Sequence, residues 1–188
     1  MPTDTVAGIG CLASSPAGVR KIFRIKGREG NKPLILFVTS IAEAERITGR
    51  LTERVKILLG FCWPGALTAI LPLETRMPHG VGKAGTVGIR IPAHPVPRAL
   101  VRLAGGPLAT TSANVSGGVP VGDSGRVRAV LGARVFPVPG RCGRTPSTIA
   151  DLTVWPPRVL RRGAFPVSKF LRLVGTVAKR RIEGIRVP

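Results

Sequence analysis

The chain has 188 residues, of which 44% are hydrophobic, and this length and composition suit a single domain with a buried core. It contains no apolar run long enough to span a membrane and no secretory leader, so we expect a cytoplasmic protein without a membrane partner. The net charge of +20 favours polyanions such as RNA, nucleotides or pyrophosphate, whereas an aromatic content of 4% argues against a base-stacking surface.

The first part of the chain predicts a loop, a helix and a strand, in that order. Residues 2–10 are polar and contain glycines, so we expect a loop that no strand precedes. Ser15 followed by Pro16 predicts the start of a helix that ends at Gly27, and a basic loop follows it. The continuous apolar run at residues 34–38 predicts a strand that is covered on both faces.

Two helices and two strands are predicted next. Ser40 and Glu43 have the spacing of a capping box, in which each residue satisfies a free backbone N–H at the start of a helix. A further helix is predicted from residue 53 to 59, and a Trp-Pro-Gly turn ends it. Apolar runs at residues 67–71 and 86–91 predict strands.

Residues 95–103 predict a helix that leads into the segment with the most informative chemistry. The side chains expected on the inward face of this helix are those of Val96, Leu100 and Leu103. Residues 107–110 predict a buried strand that breaks into a polar loop at residues 111–114. The hydroxyl and amide groups of this region belong to Thr110, Thr111, Ser112 and Asn114. Such a loop can bind phosphate or carboxylate oxygens, or it can simply form a turn and cap the next element.

The remaining part of the chain contains several short predicted elements. Residues 127–131 predict the end of a helix, and residues 134–138, 147–152 and 158–160 predict strands. A terminal helix is predicted at residues 166–174.

This alternation of strands and helices predicts the fold class. We expect a single-domain α/β fold with a twisted mixed sheet and flanking helices over residues 1–175, followed by a basic tail at residues 176–188. Positive charge is concentrated late in the chain, because residues 75–188 carry 19 basic and 3 acidic side chains. Such a surface attracts polyanions without reading a base sequence, or it is merely a solvated cationic surface.

The cysteines indicate neither disulfides nor a metal centre. Cys11, Cys62 and Cys142 are odd in number and far apart, no C-x-x-C spacing occurs, and only His79 and His94 could join them. We therefore expect reduced cysteines and no metal site built from protein side chains.

Several separated segments together are similar to the pattern of one known family. These segments are PTDTV-x-G-x-G at 2–10, KGR-x-x-NKPL at 26–34, TVGIRIPAHP at 86–95, GPLATTSANVSG at 106–117, STIADLT at 147–153 and RVLRRG at 158–163. Their order and spacing resemble the YrdC-like family, the threonylcarbamoyl-AMP synthases. The resemblance implies a concave cationic cavity in which L-threonine, bicarbonate and ATP give threonylcarbamoyl-AMP and pyrophosphate. In that family the product goes to a protein complex that modifies tRNA, and double-stranded RNA binding is a further family property.

Nucleotide-binding residues follow from the resemblance. Transfer at phosphorus depends mainly on placement and on neutralising negative charge, so converging cations matter more than a nucleophilic side chain. The positions implied for ATP are Lys26, Arg28, Lys32, Thr86, Ser112 and Arg161. For Arg161 the alternative is a solvated surface arginine. Mg²⁺ is expected to accompany the triphosphate.

Threonine-binding residues follow in the same way. Arg90 lies in the middle of a strand, where a charge is costly unless it is paired, so it is the candidate for binding the substrate carboxylate; the alternative is an outward-facing arginine. The hydroxyl positions implied by the family are Thr5, Thr110 and Ser147, and Asn114 is expected to brace the loop. No catalytic acid or base is assigned, and His94 is interpreted as a structural turn residue.

The sequence also departs from the family pattern. We expect the fold to lack the family's N-terminal strand and helix, and Ala7 stands where the family has an aromatic residue beside the cavity. Arg141 and Arg144 replace the usual acidic and glycine residues before the STI segment. Two alternatives therefore remain: a non-catalytic binder of tRNA or double-stranded RNA, and a carbamoyl-adenylate-forming relative like the corresponding part of hydrogenase maturation proteins.

Overall fold

The computed structural model describes residues 1–27, 32–114, 123–124, 127, 131 and 135–179. Strands and helices alternate along these segments. The strands are β1 (Gly8–Leu12), β2 (Ile35–Phe37), β3 (Leu67–Pro72), β4 (Thr86–Arg90), β5 (Leu108–Ser112), β6 (Thr148–Asp151) and β7 (Arg158–Arg161). The helices with described bounds are α1 (Pro16–Lys26), α2 (Ile41–Thr48), α3 (Glu53–Cys62), α4 (Pro95–Leu103) and α5 (Val167–Lys179).

The predicted cap residues fix the ends of the first two helices. Ser15 caps α1 with its hydroxyl, and Gly27 closes the same helix in the left-handed conformation, with φ of 57°. Ser40 caps α2 by accepting the N–H of Glu43 at 3.0 Å. The Glu43 carboxylate accepts the N–H of Thr39 instead of that of Ser40, so only half of the predicted capping box forms.

The strands form one mixed sheet in the order β1-β5-β2-β4-β3-β6-β7. Strand β2 runs parallel to β4, and β3 runs parallel to β6. The other neighbouring strands are antiparallel. The predicted single-domain α/β fold with a mixed sheet is therefore confirmed.

The two faces of the sheet carry different side chains, because successive residues of a strand point to opposite sides. One face, which includes Leu36, Ala69 and Ile89, packs against apolar residues of α1, α2, α3 and α5 and forms the main core. On the opposite face, Phe37 packs beside Val101 of α4 in a smaller apolar cluster. Strand β2 is thus covered on both sides, as its continuous apolar run predicts.

The sequence prediction missed β1 and placed the end of β5 too early. Residues 8–10 were expected to lie in a loop, but they belong to a strand that pairs along β5, and this pairing extends β5 through Thr111 and Ser112. One of the glycines that suggested a loop is required by the pairing. A Cβ on Gly10 would lie 2.8 Å from the Thr110 methyl group, so a larger residue would push the two strands apart.

Two of the three residues predicted on the inward face of α4, Val96 and Leu100, pack against the smaller apolar cluster, and the third does not. Val101 is 2% exposed, whereas Leu103, which was expected to face inward, is 84% exposed. Because successive helical residues are rotated by about 100°, two residues along lie nearly opposite each other. His94 caps this helix, since its Nδ1 accepts the N–H of Val96 at 3.2 Å, and its structural role is confirmed.

Other late predictions are corrected or lie outside the described residues. The strand expected at 134–138 does not form over residues 135–138, where Phe136 is exposed and the Val138 carbonyl accepts the hydroxyl of Ser124 at 2.6 Å. In the helix expected at 127–131, only its two end residues are described, and both are helical. The predicted tail begins inside α5, which continues to Lys179, and the rest of the tail is not described.

Neither a membrane span nor a disulfide is found in the described ranges. None of the helices found there is both long and apolar enough to cross a bilayer. Cys11, Cys62 and Cys142 are all described and all free, as expected. Burial raises the pKa of the Cys62 thiol to about 12 and that of Cys11 to about 11, so both stay protonated at neutral pH.

Candidate functional site

A cavity of about 530 Å³ lies on the face of the sheet opposite the main core, a volume that suits a small-molecule ligand. Its floor is built from alternate residues of neighbouring strands, which share this face. The floor residues are Gly8 of β1, Thr110 and Ser112 of β5, Ile35 and Phe37 of β2, Gly88 and Arg90 of β4, Thr68 and Ile70 of β3, and Ile149 of β6. The sheet register therefore brings residues that are distant in sequence to one surface.

Most of the site residues predicted from the sequence line this cavity. They are Thr5, Lys26, Lys32, Arg90, Thr110, Ser112, Asn114, Ser147 and Arg161. Arg28 lies outside the described residues, so its role stays a prediction. Thr86 starts β4 but is not part of the described lining, and its hydroxyl donates to the Lys83 carbonyl at 2.9 Å. The structure therefore does not bring Thr86 to the other predicted residues.

The segment Thr3–Asp4–Thr5–Val6 bends at one end of the cavity and is held by its own side chains. Thr3 Oγ1 accepts the N–H of Thr5 at 3.0 Å and donates to the Val6 carbonyl at 2.7 Å. The hydroxyl oxygens of Thr3 and Thr5 are 3.0 Å apart. Both threonines are buried and line the cavity, so the bend presents two ordered hydroxyl groups there.

Arg90 is 2% exposed, and its guanidinium is held on three sides. Its Nε donates to the Gly65 carbonyl at 2.8 Å, and one terminal nitrogen donates to Thr5 Oγ1 at 2.8 Å. The other terminal nitrogen lies 2.7 Å from the carboxylate of Asp4. The sequence correctly predicted that a charge within β4 would be paired, but the partner is a carboxylate of the chain itself.

Arg161 reaches the cavity from the end of β7 and is anchored on Ser147. Its Nε and one terminal nitrogen donate to the Ser147 carbonyl at 3.1 and 2.8 Å, and the same terminal nitrogen lies 3.2 Å from Ser147 Oγ. Thr68 Oγ1 lies 2.8 Å from the same hydroxyl. Thr68, Ser147 and Arg161 thus form one connected group on the cavity wall. Arg161 is exposed, as the surface alternative has it, but its guanidinium is anchored on Ser147.

Lys26 joins the end of α1 to the end of β5. Its ammonium group donates to the carbonyl oxygens of Ser112 and Asn114, the latter at 2.7 Å. Because Lys26 is buried, these bonds fix the backbone of the polar segment that was predicted to contact a ligand. The hydroxyl and amide side chains of that segment line the cavity, which favours ligand contact over a simple turn.

The cavity is cationic, and its charged groups are partly desolvated. Burial lowers the pKa of Arg90; Asp4 opposes this shift, and repulsion from Arg161 adds to it. Burial also lowers the pKa of Arg161. Lys26 and Lys32 add two further cations to the lining. Together with the hydroxyl groups, these cations can bind an anionic ligand and orient a small polar one.

The sequence prediction missed two buried threonines of the lining and misplaced a third position. Thr3 and Thr68 both line the cavity with buried hydroxyl groups. Thr3 belongs to the PTDT segment, so the motif could have indicated it. Thr68 lies in an apolar strand, and no sequence motif indicates it. Ala7, expected beside the cavity, is fully buried in the main core and is not part of the lining.

Gly163 lies directly behind Ser147, and its replacement tests how tightly this wall is built. A Cβ there would meet the carbonyl groups of Pro146 and Ser147, with the Ser147 oxygen at 2.5 Å. We expect Gly163→Ala to displace Ser147 and Arg161 and to lower the affinity for ATP, the nucleotide that the resemblance implies, about tenfold or more, a loss equivalent to one hydrogen bond to a charged group. Nucleotide titration by calorimetry measures this change.

Gly175 of α5 provides the matched control for this replacement. Nothing lies within 4 Å of a Cβ at Gly175, so Gly175→Ala should leave ATP affinity unchanged and should stabilise the helix by about 0.5–1 kcal/mol. Equal ATP affinity in both variants would contradict a tightly packed wall behind Ser147.

Comparison with known proteins finds curated relatives that share one name. A threonylcarbamoyl-AMP synthase of Pyrococcus abyssi is 33% identical over 94% of this chain and 53% of its own length. One from Thiobacillus denitrificans is 36% identical over 80% of this chain and 82% of its own length. The crystal structure of P. abyssi Sua5 complexed with L-threonine has a TM-score of 0.83 at 31% identity, over 100% of this chain and 58% of the other.

The extent of these matches differs between the relatives. The chain spans about half the length of the Pyrococcus protein, and it spans most of the Thiobacillus protein. The model of the Sua5/YciO/YrdC family, described as telomere recombination, matches residues 1–163. The seven-stranded mixed sheet, the cavity on its open face and this match agree, and the chain belongs to the Sua5/YciO/YrdC family.

Proposed function

We propose that this chain forms threonylcarbamoyl-AMP and pyrophosphate from L-threonine, bicarbonate and ATP. The observation that carries the proposal is the convergence of residues from separate sequence segments on one cationic cavity. Relatives named threonylcarbamoyl-AMP synthase, among them one of which this chain covers 82%, support the same activity. The structure of a relative complexed with L-threonine supports threonine as the amino acid.

The reaction needs placement more than a reactive side chain. The amine of threonine combines with bicarbonate to give a carbamate and water. A carbamate oxygen then bonds to the α-phosphorus of ATP, the bond from that phosphorus to the bridging oxygen of the β-phosphate breaks, and pyrophosphate leaves. Holding two charged substrates in one cavity makes this step effectively intramolecular, and fixed cations stabilise the negative charge on the phosphates.

On the nucleotide side, we propose that Arg161 and Lys32 contact the phosphates. Arg161 is anchored through Nε and one terminal nitrogen, which leaves its second terminal nitrogen for an anion. Lys32 is an exposed cation in the cavity lining. The Ser112 hydroxyl completes this side, and Lys26 shapes it by holding the backbone of β5. The nucleotide role of Arg28 remains a prediction.

On the amino acid side, we propose that the hydroxyl groups of Thr5, Thr110 and Ser147 orient threonine. All three side chains are buried and line the same cavity. Asn114 is proposed to brace the polar segment beside them. Arg90 lies next to Thr5 and fixes its hydroxyl.

Mg²⁺ is proposed as the companion of the triphosphate and not as a resident of the protein. Within the described residues, no three side chains of His, Cys, Asp or Glu come together as a metal site. The Asp4 carboxylate beside the cavity is paired with Arg90. These residues do not fit a protein-built Mg²⁺ site, whereas phosphate oxygens and water suit this ion.

Pyrophosphate release with each substrate omitted in turn tests the proposed activity. We expect release only when threonine, bicarbonate and ATP are present together, because the carbamate must form before it can attack phosphorus. Release without threonine would contradict the synthase function, and release supported by carbamoyl phosphate in place of threonine and bicarbonate would indicate a carbamoyl-adenylate-forming enzyme. A chain that only binds RNA would release none in any mixture.

The product is proposed to serve tRNA modification in the cytoplasm, where tRNA and ATP are present. A protein complex that transfers the threonylcarbamoyl group would receive the adenylate. The net charge of +20 supports contact with tRNA or double-stranded RNA during this transfer, through phosphate groups and not through base reading.

A further inference from the structure

We propose that Asp4 is a positioning residue for the amino acid substrate, because its carboxylate fixes the guanidinium of Arg90 and that guanidinium fixes the hydroxyl of Thr5 at the cavity surface. The inference rests on the proposed synthase function and deepens it. Asp4 is neither among the predicted site residues nor part of the described cavity lining. It would act on the substrate only through its neighbours.

Each nitrogen atom of the Arg90 guanidinium lies against a polar partner. Its three nitrogen atoms are engaged by the Gly65 carbonyl at 2.8 Å, by Thr5 Oγ1 at 2.8 Å and by Asp4 at 2.7 Å. A planar guanidinium held at three corners cannot rotate without breaking one of these contacts. Asp4 therefore determines where Arg90 places its N–H beside Thr5.

The hydroxyl protons of Thr3 and Thr5 have different acceptors. Thr3 has one hydroxyl proton, and it goes to the Val6 carbonyl at 2.7 Å. Thr5 Oγ1 accepts from Arg90, so its own proton is available for donation. The acceptors within reach are Thr3 Oγ1, 3.0 Å away, and an oxygen of a ligand in the cavity. Arg90 thus fixes Thr5 as a hydrogen-bond donor, and donation from a cation strengthens that donor.

The carboxylate of Asp4 already occupies one side of the Arg90 guanidinium. A substrate carboxylate that bound Arg90 as well would have to share its single positive charge with Asp4. Two carboxylates on one buried guanidinium leave one negative charge uncompensated, which is unfavourable. The substrate carboxylate is therefore expected on another cation of the lining, and Arg90 contributes through Thr5.

A double-mutant cycle between Asp4 and Thr5 tests this inference. Asp4→Asn keeps the shape of the side chain and removes its charge, and Thr5→Val keeps the shape and removes the hydroxyl. Each single variant is expected to raise the KM for threonine about tenfold and to change the KM for ATP less than twofold. The double variant should be no worse than Thr5→Val alone, because Asp4 acts through that hydroxyl.

Thr5→Ser, which retains the hydroxyl, should stay within about fourfold of the unmodified protein, a loss comparable to that of a buried methyl group alone. Glu53→Gln removes a charge from α3, away from the cavity, and should leave both KM values unchanged. A lower KM for threonine in Asp4→Asn would mean that Asp4 competes with the substrate carboxylate, and it would overturn the inference. Additive effects in the double variant would overturn it as well.

The test separates this inference from the proposed function. If the unmodified protein releases no pyrophosphate with all three substrates, the synthase proposal fails. If it does release pyrophosphate and Thr5→Val has the same KM for threonine as the unmodified protein, only the positioning role fails. Thr5→Val retains the charges of Asp4 and Arg90, so it gives this answer even if Asp4→Asn does not fold.

Discussion

Replacing Arg161 with alanine is expected to raise the KM for ATP about 10- to 100-fold while raising the KM for threonine much less. The reason is that the guanidinium is anchored on Ser147 and keeps one terminal nitrogen for a phosphate oxygen. A hydrogen bond to a charged group contributes about 1.5–3 kcal/mol, and each 1.4 kcal/mol is tenfold in affinity. Initial rates of pyrophosphate release at varied ATP concentration measure this effect.

The neighbouring residue provides the control for this prediction. Arg162 is exposed and is not part of the described cavity lining, so Arg162→Ala removes the same charge without touching the site. Arg161→Lys should give an intermediate KM, because an ammonium group keeps the charge but cannot hold the Ser147 carbonyl through two nitrogens. Equal losses in Arg161→Ala and Arg162→Ala would show that only the overall charge matters, and would contradict a phosphate contact by Arg161.

The elements that the sequence predicted well depend on local interactions. Helix α1 is an example, because the hydroxyl of Ser15, the ring of Pro16 and the left-handed Gly27 act within one turn of the helix end. Strand β2 is another, because a continuous apolar run fits a strand with apolar layers on both sides. Such signals can be interpreted without knowing which distant segment lies beside them.

The elements that the sequence did not predict depend on distant partners. Strand β1 contains two glycines and looked like a loop, but Gly10 is small because Thr110 packs against it across the sheet. The same pairing turned Thr111 and Ser112 from a predicted loop into the end of β5. One undetected strand pair therefore accounts for errors at two places that are 100 residues apart in the chain.

The site shows the same division between local and distant information. Ser147 and Arg161 were predicted as cavity residues from the family motifs, because their local sequence alone does not show which distant residues they contact. Thr68 carries no such signal and became visible only through its contact with the Ser147 hydroxyl. For Arg90, burial within a strand predicted correctly that a partner was needed, but no sequence pattern identified that partner as Asp4.

Replacing Arg90 with alanine is expected to lower the free energy of unfolding by about 3–5 kcal/mol, the usual cost of removing one partner of a buried ion pair. The variant would leave the Asp4 carboxylate, the Thr5 hydroxyl and the Gly65 carbonyl without their common donor. It would also leave a void where a side chain that is 2% exposed had packed beside Phe37. Urea unfolding followed by circular dichroism measures the loss.

A double variant shows whether charge or packing causes this loss. Asp4→Asn combined with Arg90→Met removes both charges and restores most of the side-chain volume, whereas Arg90→Met alone restores the volume and leaves the Asp4 carboxylate unpaired. The double variant should therefore be more stable than Arg90→Met alone. Uncharged groups of similar shape often replace a buried ion pair at little cost to stability, although here they would abolish the orientation of Thr5. We therefore expect the double variant to recover stability and not the affinity for threonine. Equal stability of the double variant and Arg90→Met would mean that packing around Arg90, not its pairing with Asp4, stabilises this end of the cavity.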